Sequence, residues 1–207
     1  MGAPQAPTAT DSAAPQAMKK LTDEQIKSLL ANTYIDGKSD AKLTIAEFSD
    51  FECPWCIRHF SAGTVKSLLA KYATTVNFSF HPIVLANHPN AIPKSYAVLC
   101  AGKYAGAGAY NAFMKSVFTE SESGIVGLDK LPALAAAAKV DAVKFKKCYD
   151  SQETKGAFDA VRLIAESLGV NGTPATIVIN NATKEYTLVS GAAPAADFEK
   201  VIDAMLK

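Results

Sequence analysis

Two cysteines separated by two residues, Cys53 and Cys56, restrict the fold of this chain more than any other feature of its sequence. The segment before them, Leu43–Phe48, is apolar and β-rich, and the apolar residues after them recur at roughly helical spacing. We therefore expect the pair at the start of a helix, with Pro54 in the first turn. At that place the free N–H groups and the dipole of the helix hold Cys53 as a thiolate, and the two sulfurs can close a small disulfide ring.

A Cys-x-x-Cys motif also opens many zinc sites, so the motif alone leaves two kinds of chemistry open. A zinc knuckle needs a second pair of ligands, and the sequence contains no second Cys-x-x-Cys. The strand–turn–helix context and the missing second pair favour thiol redox chemistry.

The composition gives the chain no strong electrostatic field. Its 207 residues suffice for one sizeable core with an inserted subdomain. The 21 basic and 20 acidic residues are evenly mixed, which predicts no nucleic-acid partner and no attraction to an anionic membrane. No apolar run approaches membrane-spanning length.

The first 20 residues are predicted to form a disordered tail. Residues Met1–Ala17 are mostly Ala, Pro, Gln, Ser and Thr with one charge, so they cannot bury enough apolar surface to fold. The segment is not a signal peptide, because it lacks a basic start and an apolar core. It is interpreted either as an artificial linker or as a tether left after removal of an export signal or membrane anchor. The resemblance described below favours the tether.

The order of predicted elements is βαβ, a block of helices, and then α-ββ-α. A capping box at Thr22–Gln25 opens a short first helix that runs to about Ala31, and a short strand and turn follow at Tyr34–Gly37. Patterning predicts the main strands at Leu43–Ser49, Val76–Phe80, Thr176–Asn180 and Glu185–Val189. It predicts further helices at Pro54–Tyr72, Pro93–Tyr104, Ala109–Phe118, Leu128–Ala138, Asp141–Asp150, Thr154–Leu168 and Ala195–Leu206. The first two main strands are expected to be parallel and the last two to form a hairpin.

Two motifs carry a family resemblance. The run from Glu47 to Cys56, EFSDFECPWC, together with Gly172-Thr173-Pro174-Ala175 far downstream, resembles the DsbA-like branch of the thioredoxin superfamily. The likeness extends from about Leu21 to the C-terminus. It implies an α/β thioredoxin-like fold with an inserted α-helical domain. The implied division is a core at 21–87, a helical insertion at 88–152 and the rest of the core at 153–207.

The resemblance also assigns roles to particular residues. Cys53 is implied to be the exposed nucleophile that forms mixed disulfides, and Cys56 the buried resolving thiol. Glu47 matches a buried acid beneath the active site that assists proton transfer from Cys56. The residues implied to contact a bound substrate peptide are Pro54, Trp55, Thr173 and Pro174, of which the last two match the cis-proline loop of the family.

Read without the resemblance, the same residues have plainer interpretations. Glu47 can be an edge residue that points to water, and Pro174 an ordinary trans proline in a turn. Asp50 and Glu52 are expected to be surface charges near Cys53. His59 is expected on the helix surface or in packing rather than as a catalytic base.

The two other cysteines, Cys100 and Cys148, both fall in the helical block. Some DsbA-like proteins carry a second, structural disulfide in this region, so the resemblance implies that these two residues are bridged. The alternative is a pair of separate buried thiols that pack as small apolar groups. A bridge is expected to mark an oxidising compartment.

The resemblance implies an exported dithiol oxidase that passes the Cys53–Cys56 disulfide to reduced exported polypeptides. It implies no bound cofactor, no metal, a monomer, and reoxidation by a membrane protein of the DsbB or VKOR type. The implied location is the bacterial periplasm or the outer face of the cell membrane. Thr173 before the proline keeps a reductase or isomerase open, because isomerases of the family commonly have Thr there. A metal-binding module built on the two cysteines and a glutathione-transferase-like relative are further alternatives.

Overall fold

The computed structural model describes residues 16–31, 34–84 and 88–207. Six strands form one sheet: β1 Lys19–Lys20, β2 Ile35–Asp36, β3 Leu43–Ser49, β4 Val76–Pro82, β5 Ala175–Asn180 and β6 Glu185–Ser190. The helices are α1 Asp23–Ala31, α2 Pro54–Ser61, α3 Thr64–Lys71, α4 Ala91–Ser121, α5 Leu131–Ala137, α6 Ala142–Asp150, α7 Lys155–Ser167 and α8 Ala195–Met205, with a 3-10 turn at Leu128–Lys130. Among these described helices, none has the length and apolar character needed to cross a lipid bilayer.

Strand β3 lies inside the sheet, whose spatial order is β1-β6-β5-β3-β4-β2. It pairs in parallel with β4, and Glu47 lies opposite Phe80. On its other edge it pairs antiparallel with β5, and Phe48 lies opposite Ala175. The parallel β3–β4 pair and the antiparallel β5–β6 hairpin confirm the pairings predicted from the element order.

Side chains of β3 alternate between two hydrophobic cores, one on each face of the sheet. Leu43 and Ile45 belong to the larger core, which continues into α2, α3, α8 and the helical block formed by α4, α5 and α6. Ala46 and Phe48 belong to the smaller core, which is covered by α1 and α7. Glu47 follows the parity of Leu43 and Ile45 and therefore faces the side of α2.

The helix after the cysteines is broken, which corrects the prediction of one continuous helix over Pro54–Tyr72. It ends at Ser61, and α3 begins at Thr64 after Gly63, whose φ of 66° is left-handed. Glycine adopts this conformation without the steric penalty of a side chain, so the chain changes direction between the two helices. Helical periodicity persists across the break, and for this reason the sequence pattern alone did not show it.

The helical block differs from its prediction in that two predicted helices are joined in one longer element. Helix α4 covers both predicted segments, Pro93–Tyr104 and Ala109–Phe118, and its two halves meet at Gly106 with φ 77° and ψ −171°. The capping box of α1 is confirmed: the Thr22 N–H donates to Gln25 Oε1 at 2.9 Å, and the Gln25 N–H donates to Thr22 Oγ1 at 3.2 Å.

The N-terminal tail was predicted to be disordered through residue 20, and this is wrong for its last two residues. Lys19 and Lys20 pair with Tyr186 and Glu185 as the edge strand β1. Backbone pairing to a free sheet edge needs no apolar side chain, so composition did not reveal it. Residues 1–15 lie outside the described part of the chain.

A disulfide joins α4 to α6 through Cys100 and Cys148, which are 48 residues apart and both fully buried. The bridge implied by the resemblance is thus present, and the alternative of two separate thiols is wrong. It closes a loop that contains the second half of α4 and all of α5 within the helical block.

Replacing both cysteines, Cys100→Ala with Cys148→Ala, is expected to lower the free energy of unfolding by roughly 2–4 kcal/mol, since the unfolded chain regains the entropy of an open loop. Denaturant unfolding followed by circular dichroism measures the difference. In a matched control, Cys53→Ala with Cys56→Ala, the bridge is retained, and dithiothreitol should destabilise this variant but not the first one. Equal stability of the bridge variant and the wild type would contradict a structural role.

Candidate active site

The cysteine pair lies where β3 runs into α2. Cys53 is the N-cap residue of α2 with an extended backbone, and Pro54 occupies the first helical turn. The Cys53 carbonyl accepts hydrogen bonds from the N–H groups of Cys56 at 3.0 Å and Ile57 at 3.1 Å, which closes the first turn. Both cysteines are free thiols; Cys56 is fully buried, and Cys53 is only 7% exposed, which corrects its implied description as an exposed residue. The sulfur of Cys53 therefore sits at the positive end of the helix.

The loop before β5 reaches the same place from the other end of the chain. Because β5 pairs with β3, the residues just before Ala175 lie next to the end of β3. The Thr173–Pro174 peptide bond is cis, so the alternative of an ordinary trans proline is wrong. The Thr173 carbonyl oxygen lies 3.4 Å from Cys53 Sγ. The two motifs that are 120 residues apart in sequence thus form one site.

The pKa values of the two thiols are shifted in opposite directions. A hydrogen bond from the Cys56 thiol lowers the pKa of Cys53 to about 5, and the Thr173 hydroxyl and the backbone N–H groups of the helix start add to this against the opposing effect of burial. The Thr173 hydroxyl is buried and has no hydrogen-bond partner within ordinary distance among the described residues, so it is available to the Cys53 sulfur. Burial, together with the hydrogen bond to Cys53, raises the pKa of Cys56 far above its usual range. The site is therefore built to hold one thiolate, on Cys53.

Two acids next to the cysteines are buried and paired, which corrects the prediction of surface charges. Asp50 is fully buried and Glu52 is 5% exposed. The Asp50 carboxylate accepts from the Glu52 N–H at 2.8 Å and lies 2.8 Å from His88 Nδ1. The Lys94 ammonium, itself fully buried, donates to Glu52 at 2.8 Å, and the Asn90 N–H donates to its other oxygen at 3.3 Å.

Lys94 and His88 were not singled out by the sequence. Lys94 is a single charge within the otherwise apolar start of α4, and such a charge is a signal of a buried pair, but its partner could not be read from the chain. A hydrogen bond to Asp50 raises the pKa of His88, and the negative charges of Cys53 and Glu52 act in the same direction. These contacts join the active-site loop to the helical block.

Glu47 is buried beside the active-site helix and does not point to water at an edge, so that alternative is wrong. It is 5% exposed, and its Oε2 lies 3.7 Å from Nε2 of His59, which is 2% exposed. His59 lies one helical turn after Cys56 on α2. It is therefore an interior residue, which agrees with the packing alternative of its prediction and not with a place on the helix surface. Among the described residues, the recorded polar contact of the Glu47 carboxylate is with His59 and not with either cysteine.

The outer surface of the site carries Trp55. This residue is 44% exposed beside the largely buried Cys53, and the guanidinium of Arg58 lies 5.5 Å from its ring centroid. Pro54 is exposed next to it. An exposed aromatic residue next to a reactive sulfur offers a surface for apolar side chains of a bound peptide.

No group of three or more His, Cys, Asp or Glu side chains in the described ranges is arranged to hold a metal ion. The two acids next to the cysteine pair, Asp50 and Glu52, are paired with His88 and Lys94. The chemistry that the geometry supports rests on the two sulfurs themselves.

A thiolate at a helix N-terminus facing a cis proline, on a mixed sheet with a helical insertion, defines a dithiol protein of the thioredoxin-fold class. The family model described as "Thioredoxin" matches residues 30–204. The chain therefore belongs to the thioredoxin family, with the helical insertion typical of DsbA-like structures. No curated protein matches it in sequence comparison.

Its similarity to solved structures extends over most of the chain. BdbD from Bacillus subtilis in its oxidised form has a TM-score of 0.74 at 17% identity, covering 86% of this chain and 94% of its own. DsbA2 from Pseudomonas aeruginosa has a TM-score of 0.68 at 22% identity, and the match covers 84% of this chain and 94% of DsbA2. The thiol-disulfide exchange protein alpha-DsbA2 from Wolbachia pipientis has a TM-score of 0.71 at 15% identity, and the match covers 88% of this chain and 92% of alpha-DsbA2. At these identities the likeness shows the fold.

Replacing Cys56 by alanine should raise the pKa of Cys53 above about 5, because the largest hydrogen bond to its thiolate is lost. Cys56→Ser is the matched control, since its hydroxyl still donates and should keep the pKa low. The pH dependence of iodoacetamide alkylation at Cys53, resolved by mass spectrometry, measures both. A pKa unchanged in Cys56→Ala would contradict the assigned hydrogen bond.

His88 should titrate above its ordinary pKa of about 6.5 in the folded protein. Because Asp50 favours the protonated His88 ring, their interaction contributes fully to folding stability below a pH of about 6.5. This contribution is lost as the pH rises through the higher pKa that His88 has in the folded protein. Asp50→Asn should lower the His88 pKa, as followed by NMR. The control Asp40→Asn removes an equal charge from an exposed pair with Lys38 and should leave that pKa unchanged. A His88 pKa insensitive to Asp50 would contradict the pairing.

Proposed function

We propose that this chain is an extracytoplasmic thiol–disulfide oxidoreductase whose Cys53–Cys56 disulfide oxidises pairs of thiols in folding proteins. The observation that carries this proposal is the low pKa of Cys53, about 5, beside a Cys56 whose pKa is raised. A dithiol with these acidities keeps a stable thiolate at neutral pH. Since a disulfide oxidises more strongly when its reduced form is stabilised, this arrangement favours transfer of the disulfide to substrates.

The proposed reaction has two exchange steps. A substrate thiolate attacks Cys53 Sγ of the disulfide, a substrate–Cys53 bond forms, and the Cys53–Cys56 bond breaks to leave Cys56 as a thiolate that takes up a proton. A second thiolate of the substrate then attacks the substrate sulfur of the mixed disulfide and releases Cys53 as a thiolate. The substrate loses two electrons and two protons; the enzyme takes up both electrons and one proton, on Cys56, and the other proton goes to the solvent. The low pKa of Cys53 makes it a good leaving group in the second step.

The remaining predicted site residues have proposed parts in this reaction. Glu47 assists the proton transfer to and from Cys56; its burial beneath the active-site helix and its contact with His59, one turn from Cys56, support this. The backbone of Thr173 and Pro174 receives an extended substrate segment beside the sulfur, and Trp55 and Pro54 contact its side chains. The 3.4 Å contact between the Thr173 carbonyl and Cys53 Sγ supports that placement.

The compartment and partners follow from the same chemistry. The buried Cys100–Cys148 disulfide supports an oxidising location such as the periplasm or the outer face of the cell membrane. One structural neighbour, from Salmonella enterica serovar Typhimurium at 18% identity, is described as a periplasmic thioredoxin-like protein. The proposed substrates are reduced exported polypeptides. Electrons then leave the dithiol through a membrane reoxidase of the DsbB or VKOR type, and the protein acts as a monomer.

A second candidate, disulfide reduction or isomerisation, is favoured by Thr173 before the cis proline. In this direction the Cys53 thiolate attacks a substrate disulfide instead of leaving from a mixed one. The site chemistry is the same, and the reduction potential decides between the two functions.

The glutathione redox equilibrium of Cys53–Cys56 tests the proposal, with Trp55 as the reporter because it is the single tryptophan and lies between the two cysteines. We expect a potential near about −120 mV and a higher melting temperature for the reduced protein. In Thr173→Val, which removes only the hydroxyl, the potential should fall by about 30 mV for each tenfold decrease in the acidity of Cys53. A wild-type potential near about −270 mV, with the oxidised protein more stable, supports the reductase instead.

A further inference from the structure

A cavity of about 640 Å³ lies behind the active-site helix, between the sheet and the second half of α4. None of Cys53, Cys56, Thr173 or Pro174 lines it. Its size falls within the range of small-molecule sites in proteins, which are mostly apolar with a few placed polar groups. The reaction proposed above takes place at the opposite end of α2, and among the residues that line the cavity it gives a role only to Glu47.

The walls of the cavity are apolar and mainly aromatic, and they are fixed by mutual packing. They include Phe60, Leu69, Phe78, Phe80, Met114 and Phe118. Phe118 stacks on Phe60 with ring centroids 5.1 Å apart and meets the edge of Phe80 at 5.8 Å. Walls held in this way keep their shape without a ligand, which lowers the cost of binding one.

The polar groups of the cavity lie at its two ends. The exposed side chains of Lys66, Lys115 and Glu122 form the mouth, where Lys115 is already paired with Asp36 at 2.6 Å. Glu47 and His59 are the buried polar lining residues and form the floor.

The His59 ring at the floor lacks hydrogen-bond partners among the described residues. Neither ring nitrogen of His59 has a hydrogen-bond partner among the described residues, although the ring is 2% exposed. Its Nε2 lies 3.7 Å from Glu47 Oε2, which is beyond hydrogen-bond distance. Buried polar groups normally find partners, so an unpartnered imidazole beside a carboxylate at the end of a cavity indicates room for a polar ligand group.

The chemistry of the floor selects the kind of ligand. Glu47 offers carboxylate oxygens and the His59 ring can offer an acceptor nitrogen, whereas an alkylammonium group offers donors only. An ammonium head therefore satisfies both residues, and the phenylalanine rings around it add cation–π attraction. An anionic ligand would be repelled by Glu47, and an apolar one would leave both floor groups unsatisfied.

We propose that this cavity is a binding site for a small organic amine, with its ammonium group on Glu47 and His59 and an apolar body along the phenylalanine walls. Because both floor groups lie on or beside α2, the bound amine contacts the active-site helix from its far side and the helical block through Met114 and Phe118. The proposal does not depend on the direction of the redox reaction.

Binding of benzylamine to the full chain tests this, with benzyl alcohol and benzoate as a neutral and an anionic analogue of the same size. Titrations followed by NMR should show benzylamine binding at least about tenfold more tightly than benzyl alcohol, since a charge-assisted hydrogen bond replaces a neutral one. The ¹⁵N signals of His59 should shift, and intermolecular NOEs should connect the benzyl ring to Phe60 and Phe118. These readouts are the same in a Cys53→Ser, Cys56→Ser background, so they are independent of any redox result.

Glu47→Gln should abolish the preference for the amine over the alcohol while keeping a similar shape at the floor. Glu122→Gln is the matched control, because it removes the same charge from the mouth of the same cavity and should keep that preference. Equal affinities for the three compounds in the wild-type protein, or NOEs to residues around Cys53 only, would overturn the proposal and leave the cavity as a hydrated cleft. An equal loss in both variants would also overturn it, because the effect would then be one of net charge.

Discussion

The pairing of β3 on both of its edges fixes where every reactive group of this protein lies. In parallel with β4, β3 delivers the Cys53 loop to one end of the sheet. Antiparallel to β5, it brings the cis-proline loop to the same end, although the loop is 120 residues away in sequence. A slip of one residue in this register would turn Glu47 away from α2 and separate Thr173 from the sulfur. The chemistry therefore depends on a backbone register that two apolar cores hold from opposite faces.

The electrostatics of the site depend on how the neighbouring acids are paired. Two carboxylates within three residues of Cys53 would disfavour its thiolate if they stood alone. His88 and Lys94 offset these charges, and the thiolate then responds mainly to the donors on Cys56, Thr173 and the helix start. The acids beside Cys53 thus have their counter-charges outside the four-residue motif, on His88 and at the start of α4.

The sequence predicted the parts of this structure that local chemistry controls. The strand at Leu43–Ser49, the capping box and the proline at the start of α2 follow from patterning and from the preferences of single residues. The contact between the two motifs came from the resemblance, because no local signal links residues so far apart. Patterning failed where the deciding partner is distant: it missed the pairing of Glu52 with Lys94 and the strand that Lys19 and Lys20 form on the edge of β6. It also missed the break at Gly63, because the apolar period continues through it.

The buried pair of Glu52 and Lys94 also bears on how such a protein can change over evolutionary time. Each charge belongs to a different part of the molecule, the active-site loop and the helical block, and each has its counter-charge in the other. Removing one charge alone leaves the other unpaired in the interior and lowers the folding stability by about 3–5 kcal/mol. Exchanging both for apolar residues lowers the stability far less. We therefore expect a change at either position to be tolerated only when the other changes with it. A helical block transplanted from another member of the family without a matching loop would place its unpaired charge at the residue next to the reactive cysteine.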